Sequence, residues 1–141
     1  MNDYLQFASA HPVLMTVLAT ALLAIIANEV HGSLTAGKKL SAPEAVRLIN
    51  DRDACIVDVR PAADFKKGHL MGAINIPNDK LKTRINELER EKSKPVILYC
   101  ALGGTAGEAA KTLRAQGFAE AFPLRGGLNA WLAASLPVTA K

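Results

Sequence analysis

The feature that most constrains this chain is an uncharged apolar run near its N-terminus. No Lys, Arg, Asp or Glu occurs from Tyr4 to Asn28, and residues 12–27 (PVLMTVLATALLAIIA) are almost entirely apolar. With its uncharged flanks the run reaches the roughly 20 residues that a helix needs to cross a bilayer, and a helix satisfies its own backbone groups in lipid. We therefore predict a transmembrane anchor within residues 1–30, a short flexible linker over residues 31–37, and a folded domain over residues 38–141.

Two alternatives to an anchor are a cleaved signal peptide and a buried core helix. A signal peptide would carry Lys or Arg before the run, where this chain has only Asp3, although Ala19-Thr20-Ala21 has the form of a cleavage site. A core helix would show a polar stripe, and none is present. The first basic residues after the run are Lys38 and Lys39, so the positive-inside rule predicts a single-pass protein of the inner (cell) membrane with its folded domain in the cytoplasm.

The folded part alternates short apolar runs with helical patterns. Buried strands are predicted at residues 54–59 (ACIVDV), 96–100 (VILYC) and 121–124 (AFPL). Helices are predicted after the capping box of Ser41 and Glu44, after Asn78 or Asp79, after Gly104, and over residues 128–132. Strands that alternate with helices are typical of an α/β domain with a parallel sheet.

Composition excludes several functional classes. The two cysteines, Cys55 and Cys100, form no C-x-x-C pair and no cluster with histidines, so we expect no metal site and no disulfide framework. Free thiols suit a reducing compartment. The formal charge of +4 comes from basic residues interleaved with acids, and aromatics make up 5%, so we expect no nucleic-acid partner. No motif requires an organic cofactor.

Cys100 is the candidate catalytic residue. It ends a predicted core strand, and the loop Ala101-Leu102-Gly103-Gly104-Thr105 follows it into a helix. Ligands bind at this edge of open parallel sheets, and amides that converge at a helix N-terminus favour an anion such as a thiolate or persulfide. We therefore predict a nucleophilic Cys100 with residues 101–105 as its binding loop; the alternative is an inert core cysteine. Cys55, in mid-strand among apolar neighbours, is predicted to be a core residue.

Several short motifs, in order along residues 38–139, together resemble the single-domain rhodaneses. They are Asp58-Val59-Arg60, Phe65, Gly68-His69-Leu70, residues 72–77 (GAINIP), residues 96–100 with their loop, and Leu124-Arg125-Gly126-Gly127 with Trp131. The resemblance, which is to membrane-tethered bacterial members, implies a rhodanese fold. In that fold a parallel five-stranded sheet is flanked by helices, here preceded by one N-terminal transmembrane helix. It also implies sulfur transfer through a persulfide on Cys100, a sulfur-carrying sulfurtransferase activity.

The resemblance also bears on individual residues. Arg60 is implied to help bind an anionic substrate; the alternative is a structural arginine paired with Asp58 or Asp64. Asp58, His69 and Trp131 are interpreted as structural. The loop departs from the common pattern because it has no charged side chain, and Leu102 stands where thiosulfate-using relatives offer a cation.

The expected partners are a small sulfur donor or a persulfide-bearing protein, an acceptor thiol, and the membrane through the N-terminal helix. A phosphatase with a C-x5-R loop is disfavoured, because Ala106 stands where that loop needs an arginine to grip phosphate. The remaining alternative is a non-catalytic membrane-tethered rhodanese module that acts as a docking, regulatory or sulfur-carrier domain.

Overall fold

The computed structural model describes residues 1–140, which form two compact units, Met1–Thr35 and a second unit that begins at Ala36. The first unit contains helix α1 (Asn2–Ala10) and most of helix α2 (Pro12–Ala36). Pro12 begins α2, a position where its missing N–H leaves no hydrogen bond unmade.

The apolar part of α2, Pro12–Gly32, has 21 residues, a mean hydropathy of 2.1 and no buried side chains. At 1.5 Å per residue it is about 31 Å long, which matches the hydrocarbon core of a bilayer. The helix is therefore long and apolar enough to cross a membrane, and a signal sequence would meet the same criteria. The predicted linker over residues 31–37 is helical up to Ala36. It contains no proline, and a single Gly32 does not end a helix.

The second unit alternates strands and helices, as the apolar pattern predicts. The strands are β1 (Cys55–Asp58), β2 (Ile74–Asn75), β3 (Val96–Tyr99) and β4 (Ala121–Pro123). The helices are α3 (Ala42–Arg52), α4 (Ala62–Lys67), α5 (Leu81–Arg84), α6 (Gly104–Ala115) and α7 (Gly127–Ala133), with 3₁₀ turns at Asn78–Lys80 and Ile85–Glu91 on either side of α5. The predicted capping box is present, because Ser41 and Glu44 exchange hydrogen bonds at the start of α3.

The sheet is parallel, with the order β2-β1-β3-β4. The prediction of five strands is not confirmed: over residues 1–140 the sheet has four. Beside β4, Leu40 makes a single parallel bridge with Leu124, and its N–H donates to the Pro123 carbonyl at 2.9 Å. This segment stays one residue long because Ser41 and Pro43 start α3 immediately afterwards.

Both faces of the sheet are covered, which explains why the central strand β3 (VILY) is buried at every residue. Successive residues of β3 point to opposite faces, so Leu98 packs in the core that includes α6, and Ile97 packs in the core that includes Trp131 of α7. Cys100 continues the face of Leu98 and belongs to the same core as Ala106 of α6. This packing brings the cysteine to the carboxyl edge of the sheet, next to the start of α6.

Candidate functional site

Cys100 follows β3 directly, and α6 begins four residues later at Gly104. As a residue, Cys100 is 7% exposed. The chain turns back at Gly103, whose φ of +102° is readily accessible only to glycine. In this conformation the Gly103 N–H donates to Cys100 Sγ at 3.0 Å. The amide and the positive end of the 12-residue helix α6 favour negative charge on this sulfur.

Backbone hydrogen bonds from the start of α7 fix the position of the loop. The N–H of Leu128 donates to the Cys100 carbonyl at 2.8 Å, and the N–H of Asn129 donates to the Ala101 carbonyl at 3.2 Å. Gly127 lies so close to the loop that a Cβ at this position would be 2.8 Å from the carbonyl carbon of Ala101. Sequence reasoning used Gly126-Gly127 only for the family resemblance and missed this support. The available signal was a pair of glycines directly before a helix.

A cleft of about 900 Å³ opens beside the sulfur. Of the predicted site residues, Cys100, Ala101, Leu102, Gly104, Thr105 and Arg60 line it. Gly103 does not line the cleft and contributes its amide to the sulfur instead. The opposite walls come from residues 59–64 and 77–80, where apolar side chains such as Pro61, Ala62 and Pro77 alternate with polar and charged ones. Sequence reasoning did not identify these walls, because they follow other strands of the sheet.

Arg60 borders the cleft, but its guanidinium is bound within the protein. Its Nη2 donates to Asp58 Oδ2 at 2.6 Å and to the Gly68 carbonyl at 2.7 Å, and its Nε donates to Asp58 Oδ1 at 3.0 Å. The side chains of the pair are 9% and 0% exposed. Burial opposes the charge of Arg60, but the bonds to Asp58 outweigh it and raise the arginine's pKa. These contacts match the structural alternative for Arg60, with Asp58 as partner. A role in binding an anionic substrate stays a prediction.

His69 and Tyr99 hold the segment that follows α4. His69 Nδ1 donates to the Phe65 carbonyl at 2.8 Å, and its ring stacks on Phe65, which agrees with the structural interpretation. The buried Tyr99 hydroxyl accepts a hydrogen bond from the Leu70 N–H at 3.1 Å. Burial and the nearby Asp58 carboxylate raise the pKa of Tyr99. Sequence reasoning assigned no role to Tyr99, although it immediately precedes the candidate nucleophile.

Cys55 lies outside the cleft, at the start of β1. Burial, with a contribution from the carboxylate of Glu91, raises the pKa of Cys55 to about 11. The side chain therefore stays protonated at neutral pH and is a poor nucleophile. No group of three or more His, Cys, Asp or Glu side chains suited to a metal ion occurs within the part of the chain that the structure describes.

Some known proteins resemble this chain over almost its whole length, and others resemble it over the folded domain alone. Residues 41–134 match the profile of the Rhodanese-like domain family. The protein YibN of Escherichia coli (strain K12) is 36% identical over 139 residues, which are 98% of this chain and 97% of that protein. Thiosulfate sulfurtransferase GlpE of Shewanella oneidensis is 33% identical over 94 residues, which are 67% of this chain and 91% of the enzyme.

Solved structures show the same fold. A rhodanese-related protein from Thermoplasma volcanium superposes with a TM-score of 0.66 at 25% identity, over 74% of this chain and 99% of that one. The rhodanese-like domain of an Anabaena protein gives a TM-score of 0.64 at 30% identity, over 73% and 79% of the two chains. The Anabaena domain and GlpE match the folded domain of this chain. The likeness to YibN also extends through the N-terminal apolar segment.

Proposed function

Because this chain belongs to the rhodanese-like domain family, we propose that it is a sulfurtransferase that carries sulfane sulfur as a persulfide on Cys100. It then passes the sulfur to a thiol or another nucleophilic acceptor. The observation that carries the proposal is the hydrogen bond from the Gly103 amide to Cys100 Sγ, at 3.0 Å, in a loop that opens onto a cleft. The relatives named sulfurtransferase support the reaction class.

The reaction consists of two displacements at sulfur. The Cys100 thiolate attacks the sulfane sulfur of a donor, and the rest of the donor leaves with the electron pair of the broken bond. An acceptor thiolate then attacks the outer sulfur of the Cys100 persulfide, and Cys100 leaves as a thiolate. The protein is unchanged after one cycle, and the scheme predicts ping-pong kinetics.

The loop contributes to both steps. The first step begins, and the second step ends, with negative charge on Cys100 Sγ, next to the Gly103 amide and the start of α6. The N–H groups of Leu128 and Asn129 bind the carbonyls of Cys100 and Ala101, and the Gly103 amide faces the sulfur. Thr105 places a hydroxyl among the residues that line the cleft.

Cys100→Ser tests the proposal directly. Wild-type protein exposed to a sulfur donor should gain the mass of one sulfur atom on the Cys100 peptide and should release it to an added thiol. Cys100→Ser should show neither event, and the matched control Cys55→Ser should show both. If no donor adds sulfur to Cys100 in the folded wild type, the sulfurtransferase proposal is wrong and a docking or regulatory module is the better account.

For localisation we propose a single-pass protein of the inner membrane with the rhodanese domain in the cytoplasm. The length and hydropathy of Pro12–Gly32 support the span, and the exposed Lys38 and Lys39 that follow it support the orientation. A cysteine introduced at the exposed Ser93 should react with a membrane-impermeant reagent only after lysis, above the wild-type background. Labelling in intact cells, or a mature chain that begins within the apolar run, would contradict this topology.

A further inference from the structure

The charge and the walls of the cleft indicate which sulfur donor it accepts. We propose that the donor is an organic persulfide, in which the sulfane sulfur is attached to a carbon-bound thiol, and not the inorganic dianion thiosulfate. This inference rests on the proposed function. The carbon-bound part is either a small thiol or a cysteine of a protein, and the chemistry at sulfur is the same for both.

The cleft offers no excess of positive charge to a dianion. Its charged lining residues, among those that the structure describes, are two cations, Arg60 and Lys80, and two carboxylates, Asp64 and Asp79. Arg60 is neutralised by its two-point bond to Asp58. The loop from Ala101 to Thr105 adds no charged side chain. A thiolate and an approaching dianion repel each other, and these side chains do not offset that repulsion.

The walls favour a donor with carbon atoms. Pro61, Ala62, Pro77 and Ala101 form apolar surface around the sulfur, and Leu102 at the mouth is 72% exposed. A volume of about 900 Å³ lies within the roughly 300–1,000 Å³ range of clefts that enclose organic ligands, and it exceeds what a small inorganic anion fills. An organic persulfide can place its carbon atoms against Leu102 and Pro61 while its sulfur end reaches Cys100.

The transfer balances without an oxidant. The Cys100 thiolate attacks the outer sulfur of the persulfide R–S–SH, and a new S–S bond forms. The S–S bond of the donor breaks, and its electron pair leaves on the thiolate RS⁻. The outer sulfur, with its proton, is now attached to Cys100 beside the Gly103 amide, which accommodates the single negative charge when that proton is lost to water.

The experiment measures how fast the full-length protein, in detergent, gains sulfur on Cys100 from three donors. The donors are thiosulfate, the persulfide of 2-mercaptoethanol for the small-thiol source, and a persulfidated cysteine peptide for the protein source. Each rate is divided by that of the same donor with N-acetylcysteine, because persulfides and thiosulfate differ in intrinsic reactivity. After this division at least one persulfide should exceed thiosulfate by about tenfold or more.

Substitutions at Leu102 separate the effect of positive charge on donor preference from the effect of side-chain shape. Leu102→Arg should raise the thiosulfate rate about tenfold, because it supplies the missing cation at an exposed position. The neutral control Leu102→Gln should lower the persulfide rate and should not raise the thiosulfate rate, because it removes apolar surface and adds no charge. Leu132→Arg adds the same charge at an exposed position on α7 and should change neither rate.

The two proposals fail in different ways. The donor inference is overturned if wild-type protein takes sulfur from thiosulfate as well as from both persulfides, or if Leu102→Arg leaves thiosulfate loading unchanged. In either case Cys100 still carries sulfur, and the sulfurtransferase proposal stands. Absence of loading from every donor overturns the sulfurtransferase proposal and the donor inference with it.

Discussion

Replacing Arg60 by alanine should destabilise the folded domain far more than replacing Arg52, although each arginine bonds both oxygens of one carboxylate. Arg60 reaches Asp58 at 2.6 and 3.0 Å in the interior, with side-chain exposures of 9% and 0%. Arg52 reaches Glu120 at 2.7 Å through two nitrogens, with exposures of 48% and 37%. The two pairs therefore differ chiefly in burial.

The expected magnitudes follow from that difference. Removing one partner of a buried ion pair leaves an uncompensated charge and costs about 3–5 kcal/mol, whereas an exposed pair contributes about 0–1 kcal/mol. Asp58 would keep the backbone N–H of residue 60, which donates to its Oδ1 at 2.9 Å, so we expect the lower part of the range. The Gly68 carbonyl also loses its bond from Arg60 Nη2. The difference between the two variants should be about 3 kcal/mol in the free energy of unfolding.

Urea denaturation of the domain from Ala36 onwards measures both variants, and sulfur loading of Cys100 is followed in parallel. Arg60→Ala should lower the urea midpoint strongly. It should slow the sulfur loading of Cys100 equally for thiosulfate and persulfide donors. The double variant with Asp58→Ala should recover part of the loss, because no buried charge is then left unpaired. If Arg60→Ala were as stable as Arg52→Ala but selectively slow with thiosulfate, the guanidinium would bind the donor and the structural reasoning would be refuted.

Two further predictions concern the loop support and the second cysteine. Gly127→Ala combines an unfavourable backbone, at a φ of +58°, with a clash against Ala101, whereas the control Gly72→Ala, at a φ of +78°, meets no atom within 4 Å. In urea denaturation we expect the free energy of unfolding to fall by about 2–5 kcal/mol for Gly127→Ala and by about 1–2 kcal/mol for Gly72→Ala. Sulfur loading should slow only for Gly127→Ala. Equal losses would show that α7 does not pack tightly against the loop. The pKa of Cys55 is raised from 9.0 to about 11, so little thiolate is present at pH 8 in the folded protein. In the Cys100→Ser variant, alkylation of Cys55 at pH 8 should therefore be about 100-fold slower in the folded state than in urea. The rate in the folded state should rise as the pH approaches 11. Similar folded and unfolded rates would mean that burial does not protect this thiol.

The features that could be predicted from the sequence depend on residues close together in the chain. The apolar run, the capping box of Ser41 and Glu44, and the β3–loop–α6 segment around Cys100 are each encoded within a few consecutive residues or one helix length. A buried parallel strand is apolar throughout, and a tight turn needs glycine, so the position of the candidate nucleophile at the sheet edge could be inferred before any contact was known.

Tertiary structure alone decided the features that join distant parts of the chain. Leu40 forms one bridge with Leu124 in place of a fifth strand, because α3 begins directly after it. The sequence left open whether an acid such as Asp58 or Asp64 pairs with Arg60, and the fold bonds it to Asp58 and to the Gly68 carbonyl. The charge balance of the cleft likewise depends on side chains that follow three different strands and meet at one edge. Such contacts are set by how the elements pack, and local residue patterns do not encode them.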